Sequence, residues 1–250
     1  MIILKSAKEI EKMRQAGRVA AQAMEKVLAA VRPGITTGEL DRIAFDYIIG
    51  AGATPSFKGY GGFPGSICAS VNEQVVHGIP GHRRLREGDI ISIDLGACLH
   101  GFHSDMARTV GVGEIAPEVQ RLIDVTKESF YRGIAQAIAG NRIYHISKAI
   151  EDYALENGVG VVKELIGHGV GQNLHEAPDV PNFVGRFKGP VLRAGMTIAV
   201  EPMLNMGTAE VFEADDGWTV STVDGKPSAH YENTIAILPE GPCEILTAAE

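Results

Sequence analysis

The sequence predicts an α+β protein built from two similar halves, each running helix, helix, then antiparallel strands. Three observations predict it. Two amphipathic helical stretches open each half, the later apolar runs are short and β-branched, and residues of the first half recur in the second in the same order. Gly34, Leu40, Asp46, Tyr47 and Gly52 line up at one offset with Gly140, Ile146, Asp152, Tyr153 and Gly158. REGDIISID (86–94) matches RAGMTIAVE (193–201), so Asp94 meets Glu201. His103-Ser104-Asp105 matches His230-Tyr231-Glu232, and Val76-His77-Gly78-Ile79 resembles Gly167-His168-Gly169-Val170. The expectation is an internal duplication within one domain, residues 1–250, with halves near 5–112 and 116–240.

Taken in order, Ser6-Ala7-Lys8-Glu9 is a capping box opening a helix that runs to Pro33-Gly34. Its Ile10, Met13, Val19, Ala20, Ala23, Met24, Val27 and Leu28 fall on one face. Thr36-Thr37-Gly38-Glu39 caps a second helix through Ile49. A glycine-rich loop, 55–66, carries Phe57, Tyr60 and Phe63; a strand over Ile67–Val76 follows it rather than a helix, which excludes a phosphate cradle. On its own residues this loop reads as aromatic surface packing. Pro117 starts a third helix, Glu118–Ala139, at the position proline tolerates best, and a fourth covers Ile146–Glu156. From Val161 the chain is strand-like, with Asp216-Gly217 and Asp224-Gly225 as hairpin turns.

Between the second and third helices lies GDIISIDLGACLHGFHSDMART, Gly88–Thr109, which reads as two antiparallel strands. Each strand carries one acid inside its apolar run. A turn centred near Leu99–His100 sets Asp94 directly opposite Asp105, an arrangement in which unpaired carboxylates repel and are costly to bury. Either a cation sits between them, or one Asp is a turn residue at a strand end. The duplication adds Glu201 and Glu232, making four carboxylates on facing strands, which points to divalent ions. Gly167-His168-Gly169 offers one imidazole; alone it reads as a turn or core histidine, and beside four acids it reads as a ligand.

Composition excludes other classes. The net charge of −8 does not fit a dedicated binder of nucleic acid, and no apolar run is long enough to span a membrane. The N-terminal MIILKSAKEIEKMRQ turns charged too soon for a secretory signal. Cys68, Cys98 and Cys243 are odd in number and scattered, so no disulfide framework is expected. A reduced, cytoplasmic protein is the expectation.

Together, His77-Gly-Ile-Pro, Asp94, His-Ser-Asp105, Gly-His168-Gly-Val-Gly-x₃-His175-Glu-x-Pro, Val-Glu201-Pro and His-Tyr-Glu232-Asn-Thr resemble the methionine aminopeptidases. The resemblance is to their short bacterial type I form and covers essentially the whole chain. It implies the pita-bread fold, with a central curved antiparallel sheet covered by helices, as a single catalytic domain. It implies two divalent ions (Co²⁺, Mn²⁺, Fe²⁺ or Zn²⁺) held by Asp94, Asp105, His168, Glu201 and Glu232, with Asp105 and Glu232 bridging. His77 and His175 would contact substrate and, with Glu201, serve catalysis by a metal-bridging water. Tyr60, Phe63, Cys68 and Trp218 match positions lining the methionine side-chain pocket. Phe57 and Leu174 stand where the family has a smaller residue and often an aromatic, and Leu165 replaces an aromatic or Met before Gly-His-Gly. These departures bear on the pocket's shape, not on the metal centre.

The implied activity is removal of initiator methionine from nascent proteins whose second residue is small. Action near the ribosomal exit by a monomer is expected, with no membrane and no direct nucleic-acid contact. Two alternatives stand beside it. An X-Pro-type aminopeptidase of the same fold would carry an additional N-terminal domain, and a non-catalytic binding module would have lost ligands, whereas all four acids and the imidazole are present.

Overall fold

The computed structural model describes residues 1–249. Four helices, α1 (Ala7–Ala30), α2 (Thr37–Gly50), α3 (Pro117–Ile134) and α4 (Ile143–Glu156), accompany a curved antiparallel sheet. Across that sheet the strands run Glu176–Val180, Gly167–Gly169, Thr197–Val200, Glu232–Ala236, Met106–Gly111, Ile90–Leu95 and Ile67–Val71. Glu244–Ile245 pairs onto the far end of Glu232–Ala236.

Both expected capping boxes form. Ser6 and Glu9 exchange bonds at the start of α1, as do Thr36 and Glu39 at α2, satisfying backbone donors that a helix start leaves free. Helix α3 ends at Ile134, short of the expected Ala139. There Gln136 and Ala137 donate to Gly133 and Ile134, three residues back, and the chain turns out at Gly140, whose φ is +97°. Helix α4 begins three residues earlier than expected, at Ile143.

Helices α1 and α2 cover one half of the sheet through Met24, Leu40, Ile48, Ile91, Ile93 and Leu95. Helices α3 and α4 cover the other through Phe130, Ile146, Ile150, Ile198 and Ile235. Strand side chains alternate faces, so sending Ile91 and Ile93, Met106, Ile198 and Val200, and Ile235 to the helices sends Asp94, Asp105, Glu201 and Glu232 to the other.

Four local expectations are corrected. The hairpin turn centres on His100-Gly101, not Leu99–His100, because those two residues adopt φ of +54° and +78°, as a type I′ turn requires. Asp94 therefore faces Ala107, and Asp105 is its diagonal neighbour on the same face. The strand expected over Ile67–Val76 breaks at Asn72, with φ +58°, into Ile67–Val71 and Gln74–Val76. Asp216-Gly217 lies in the connection of the Val211–Glu213/Val220–Thr222 hairpin, but Asp224-Gly225 joins strands that do not pair with each other. Finally, His168 lies within a sheet strand, whereas His77 follows Gln74–Val76 outside that sheet, so the two are not counterparts.

Candidate metal centre

Asp94 lies near the end of Ile90–Leu95, and Asp105 just precedes Met106–Gly111. Asp105 is stitched to the neighbouring strand, its N–H donating to Thr234 Oγ1 at 2.9 Å and its carbonyl accepting from Thr234 N at 3.0 Å. Glu232 begins its strand opposite Ala107, and Glu201 follows Val200 at the edge beyond it. The glycines flanking His168 are required by close packing: a Cβ at Gly167 would lie 2.4 Å from Ala199 O, and one at Gly169 2.4 Å from Ala177 O.

These five side chains converge. His168 Nε2 stands 3.6 Å from Glu201 Oε1 and 3.7 Å from Asp105 Oδ2. Asp94, Asp105 and Glu232 bring one oxygen each within 4.8 Å of one another, and His168, Glu201 and Glu232 do the same with their ligand atoms. His175 joins Asp105 and His168 in a third such group, its ring edge-on to His168 at 4.0 Å between centroids.

Burial sets the electrostatics. It pushes the Asp94 carboxyl up to about 7, and pushes Asp105, Glu201 and Glu232 well above the usual range, with neighbouring carboxylates adding to the effect. Burial also holds His168 and His230 down to about 3, and lowers His77 and His175.

The donor set fits divalent cations on three counts. Asp94 Oδ1, Asp105 Oδ1 and Glu232 Oε1 are buried without a hydrogen-bond partner. His168 Nδ1 contacts Gly169 O at 2.9 Å, and a carbonyl only accepts, so the proton is on Nδ1. Nε2 then turns a lone pair toward two carboxylates, which a cation between them would reconcile. Carboxylates with one imidazole also suit hard-to-borderline ions.

The centre forms one end of a cavity of about 400 Å³. The other end is an apolar cluster of Phe57, Phe63, Cys68 and Leu174, with Ile79 and Trp218 against it; Phe63 and Trp218 meet edge to face at 5.1 Å. The structure thus brings Phe63, Cys68 and Trp218 together as expected, and seats Phe57 and Leu174 with them. Tyr60 lines the cavity outside this cluster and bonds His175 instead, Oη to Nδ1 at 2.8 Å. His77 lines the wall, in a left-handed conformation with φ +58°.

Sequence reasoning missed His230. It is 1% exposed, its Nε2 is 3.7 Å from Glu201 Oε2 and 3.9 Å from Glu232 Oε2, and neither ring nitrogen has a hydrogen-bond partner. The signal was its place two residues before Glu232: His230 ends the strand Ser228–His230 just before Glu232 opens the next, and alternate positions of extended chain share a face. Its sequence counterpart His103 bonds Ser56 Oγ at 2.9 Å instead and does not line the cavity.

The model of metallopeptidase family M24 matches residues 11–239. A methionine aminopeptidase of Clostridium perfringens is 57% identical over 247 residues, spanning 99% of each chain. The crystal structure of a methionine aminopeptidase from Thermotoga maritima matches with a TM-score of 0.96 at 41% identity, over 99% of each chain. A prolidase from Pyrococcus furiosus shares the fold at a TM-score of 0.80 and 23% identity, over 99% of this chain and 66% of the prolidase. These likenesses are to pita-bread proteins, the fold expected from the sequence.

Proposed function

The chain belongs to metallopeptidase family M24, and from that premise we propose that it is a methionine aminopeptidase removing initiator methionine from proteins with a small second residue. The observation that carries the reading is one cavity with a carboxylate–imidazole cluster at one end and an apolar aromatic pocket at the other. Asp94, Asp105, His168, Glu201 and Glu232 would hold two divalent ions. When bound, the ions supply an activated water and polarise the scissile carbonyl. Glu201 takes the proton of the attacking water on its carboxylate and delivers it to the departing amine. His175 and His77 donate hydrogen bonds to the peptide and to the oxygen that becomes negative during attack.

The thioether of methionine fits against Phe63, Trp218 and Cys68, since sulfur–aromatic contacts are favourable by roughly 0.3–1.5 kcal/mol each. A crowded centre excludes bulk beside the cleaved bond. The reading extends to a single catalytic domain acting as a cytoplasmic monomer on chains leaving the ribosome. No helix among the described residues is long and apolar enough to cross a membrane.

The test is mass-spectrometric cleavage by chelator-stripped protein, with and without Co²⁺ or Mn²⁺, of Met-Ala-Ser, Met-Lys-Ser, Leu-Ala-Ser and Ala-Pro-Ser. Metal-dependent loss of Met from Met-Ala-Ser alone is the expected result. Cleavage of Ala-Pro-Ser instead would favour an X-Pro aminopeptidase, and no cleavage despite bound metal would favour a binding module.

A further inference from the structure

The glycine-rich loop holds Tyr60 in a fixed attitude. Gly59 takes φ +84° and Gly62 φ +93°, Tyr60 N donates to Phe57 O at 2.9 Å, and Phe63 N donates to Tyr60 O at 2.9 Å. The turn packs against Trp218, so that a Cβ at Gly61 would come 3.3 Å from its Cη2. This geometry carries the phenol out of the apolar cluster to the rim, where its ring meets the His175 ring edge-on at 5.1 Å between centroids and Oη lies 2.8 Å from Nδ1.

We propose that Tyr60 is a positioning residue: its hydroxyl donates to His175 Nδ1 and thereby keeps the His175 proton on Nε2. The direction of the bond follows from relative acidity and basicity. A phenol hydroxyl is a far better donor than a neutral imidazole N–H, and an imidazole nitrogen is the better base. The consequence lies on the other ring nitrogen. With Nδ1 accepting, Nε2 is a donor, as a group must be to stabilise an oxygen gaining negative charge. With the opposite tautomer, Nε2 would present a lone pair to that oxygen and repel it. His168 is held in the reverse sense by Gly169 O, with its proton on Nδ1 and its Nε2 lone pair toward the acids. Two adjacent imidazoles thus take opposite tautomers, each set by the partner of its Nδ1.

The role of His175 as a donor rests on the aminopeptidase reading, whereas its tautomer does not, and the experiment separates the two. Tyr60→Phe keeps the ring that walls the cavity and removes only the hydroxyl. Protein labelled with ¹⁵N-histidine and loaded with diamagnetic Zn²⁺ is examined by long-range ¹H–¹⁵N correlation at pH 8.5, above the ordinary imidazole range, with His175→Gln supplying the assignment. Wild type is expected to show His175 protonated on Nε2, and Tyr60→Phe to move both its nitrogens toward values averaged over the two tautomers, the other histidines keeping theirs. Turnover of Met-Ala-Ser should fall about tenfold in kcat with KM within about twofold, short of the roughly 10²–10³ lost with a whole donor. A purely space-filling Tyr60 would leave kcat and the nitrogen pattern unchanged. The proposal is overturned if wild-type His175 carries its proton on Nδ1, or if Tyr60→Phe leaves the pattern as it was. Absence of cleavage by wild type would instead remove the aminopeptidase reading, with the nitrogen pattern still deciding the tautomer.

Discussion

Asp94→Asn should stabilise the metal-free protein at pH 8 while sharply weakening its stabilisation by metal. Asp94 is buried beside Asp105, and burial raises its carboxyl from the ordinary 3.8 to about 7. A carboxyl raised on folding binds its proton more tightly in the folded state. Its contribution is therefore intact below about pH 4 and is lost as pH rises toward 7. Above pH 7 the folded protein carries a buried charge costing about 4 kcal/mol relative to the unfolded chain. Asparagine removes the charge but leaves a buried amide whose unmet hydrogen bonds cost about 1–3 kcal/mol. The net gain is about 1–3 kcal/mol, or roughly 2–10 °C in Tm for a chain of this length. Near pH 4 the charge penalty is gone and the amide's cost remains, so the gain should turn into a loss of about 1–3 kcal/mol. His168 and His230 titrate in both proteins and cancel from the difference. Added Mn²⁺ or Co²⁺ should reverse the order, since saturation a thousandfold above Kd stabilises wild type by about 4 kcal/mol and the variant by far less. Thermal melts at pH 4 and pH 8, with chelator or metal, would read this out. A metal-free variant less stable than wild type at pH 8, or an equal response to metal, would refute the reasoning.

Glu201→Gln should retain metal, measured by titration calorimetry, while losing 10²–10⁴ in turnover of Met-Ala-Ser, as expected for a proton-transfer group. Asp105→Asn should lose metal and turnover together, because Asp105 belongs to two of the three donor groups; near-wild-type activity in both variants would sink the role assignment. Lys5→Met acts at a distance. Lys5 and Glu176, with side chains 3% and 4% exposed, form an ion pair tying the N-terminal arm to the residue after His175. Breaking it leaves Glu176 buried and unpaired, which costs about 3–5 kcal/mol and should lower Tm by on the order of 10 °C. A fall of only a degree or two would mean that the pair is replaced by solvent.

Much of the fold was legible because it is local. Capping boxes at Ser6 and Thr36 act within three residues, and the prolines and glycines that end helices act on their own backbone. Strand alternation placed each acid opposite its apolar neighbours. The glycines on either side of His168 answer to the sheet itself, since its strand is too crowded for a Cβ beside that residue.

What escaped the sequence depends on side chains that meet only after the sheet has formed. The hairpin centre moved by one residue because His100 accepts a positive φ, and that shift turned Asp94 and Asp105 from opposed into diagonal partners. His230 is marked in the sequence only by its place two residues before Glu232; its surroundings come from Glu201, brought beside it when Thr197–Val200 pairs with Glu232–Ala236. Tyr60 read as a pocket wall, because nothing local links it to a histidine 115 positions away. The sequence by itself determined the helices and most of the strands, since caps and period act over a few residues, and its motifs carried the resemblance to the family. Tertiary structure alone decided how the donors face one another and which partner each imidazole keeps, because contacts between distant segments follow from strand register and packing.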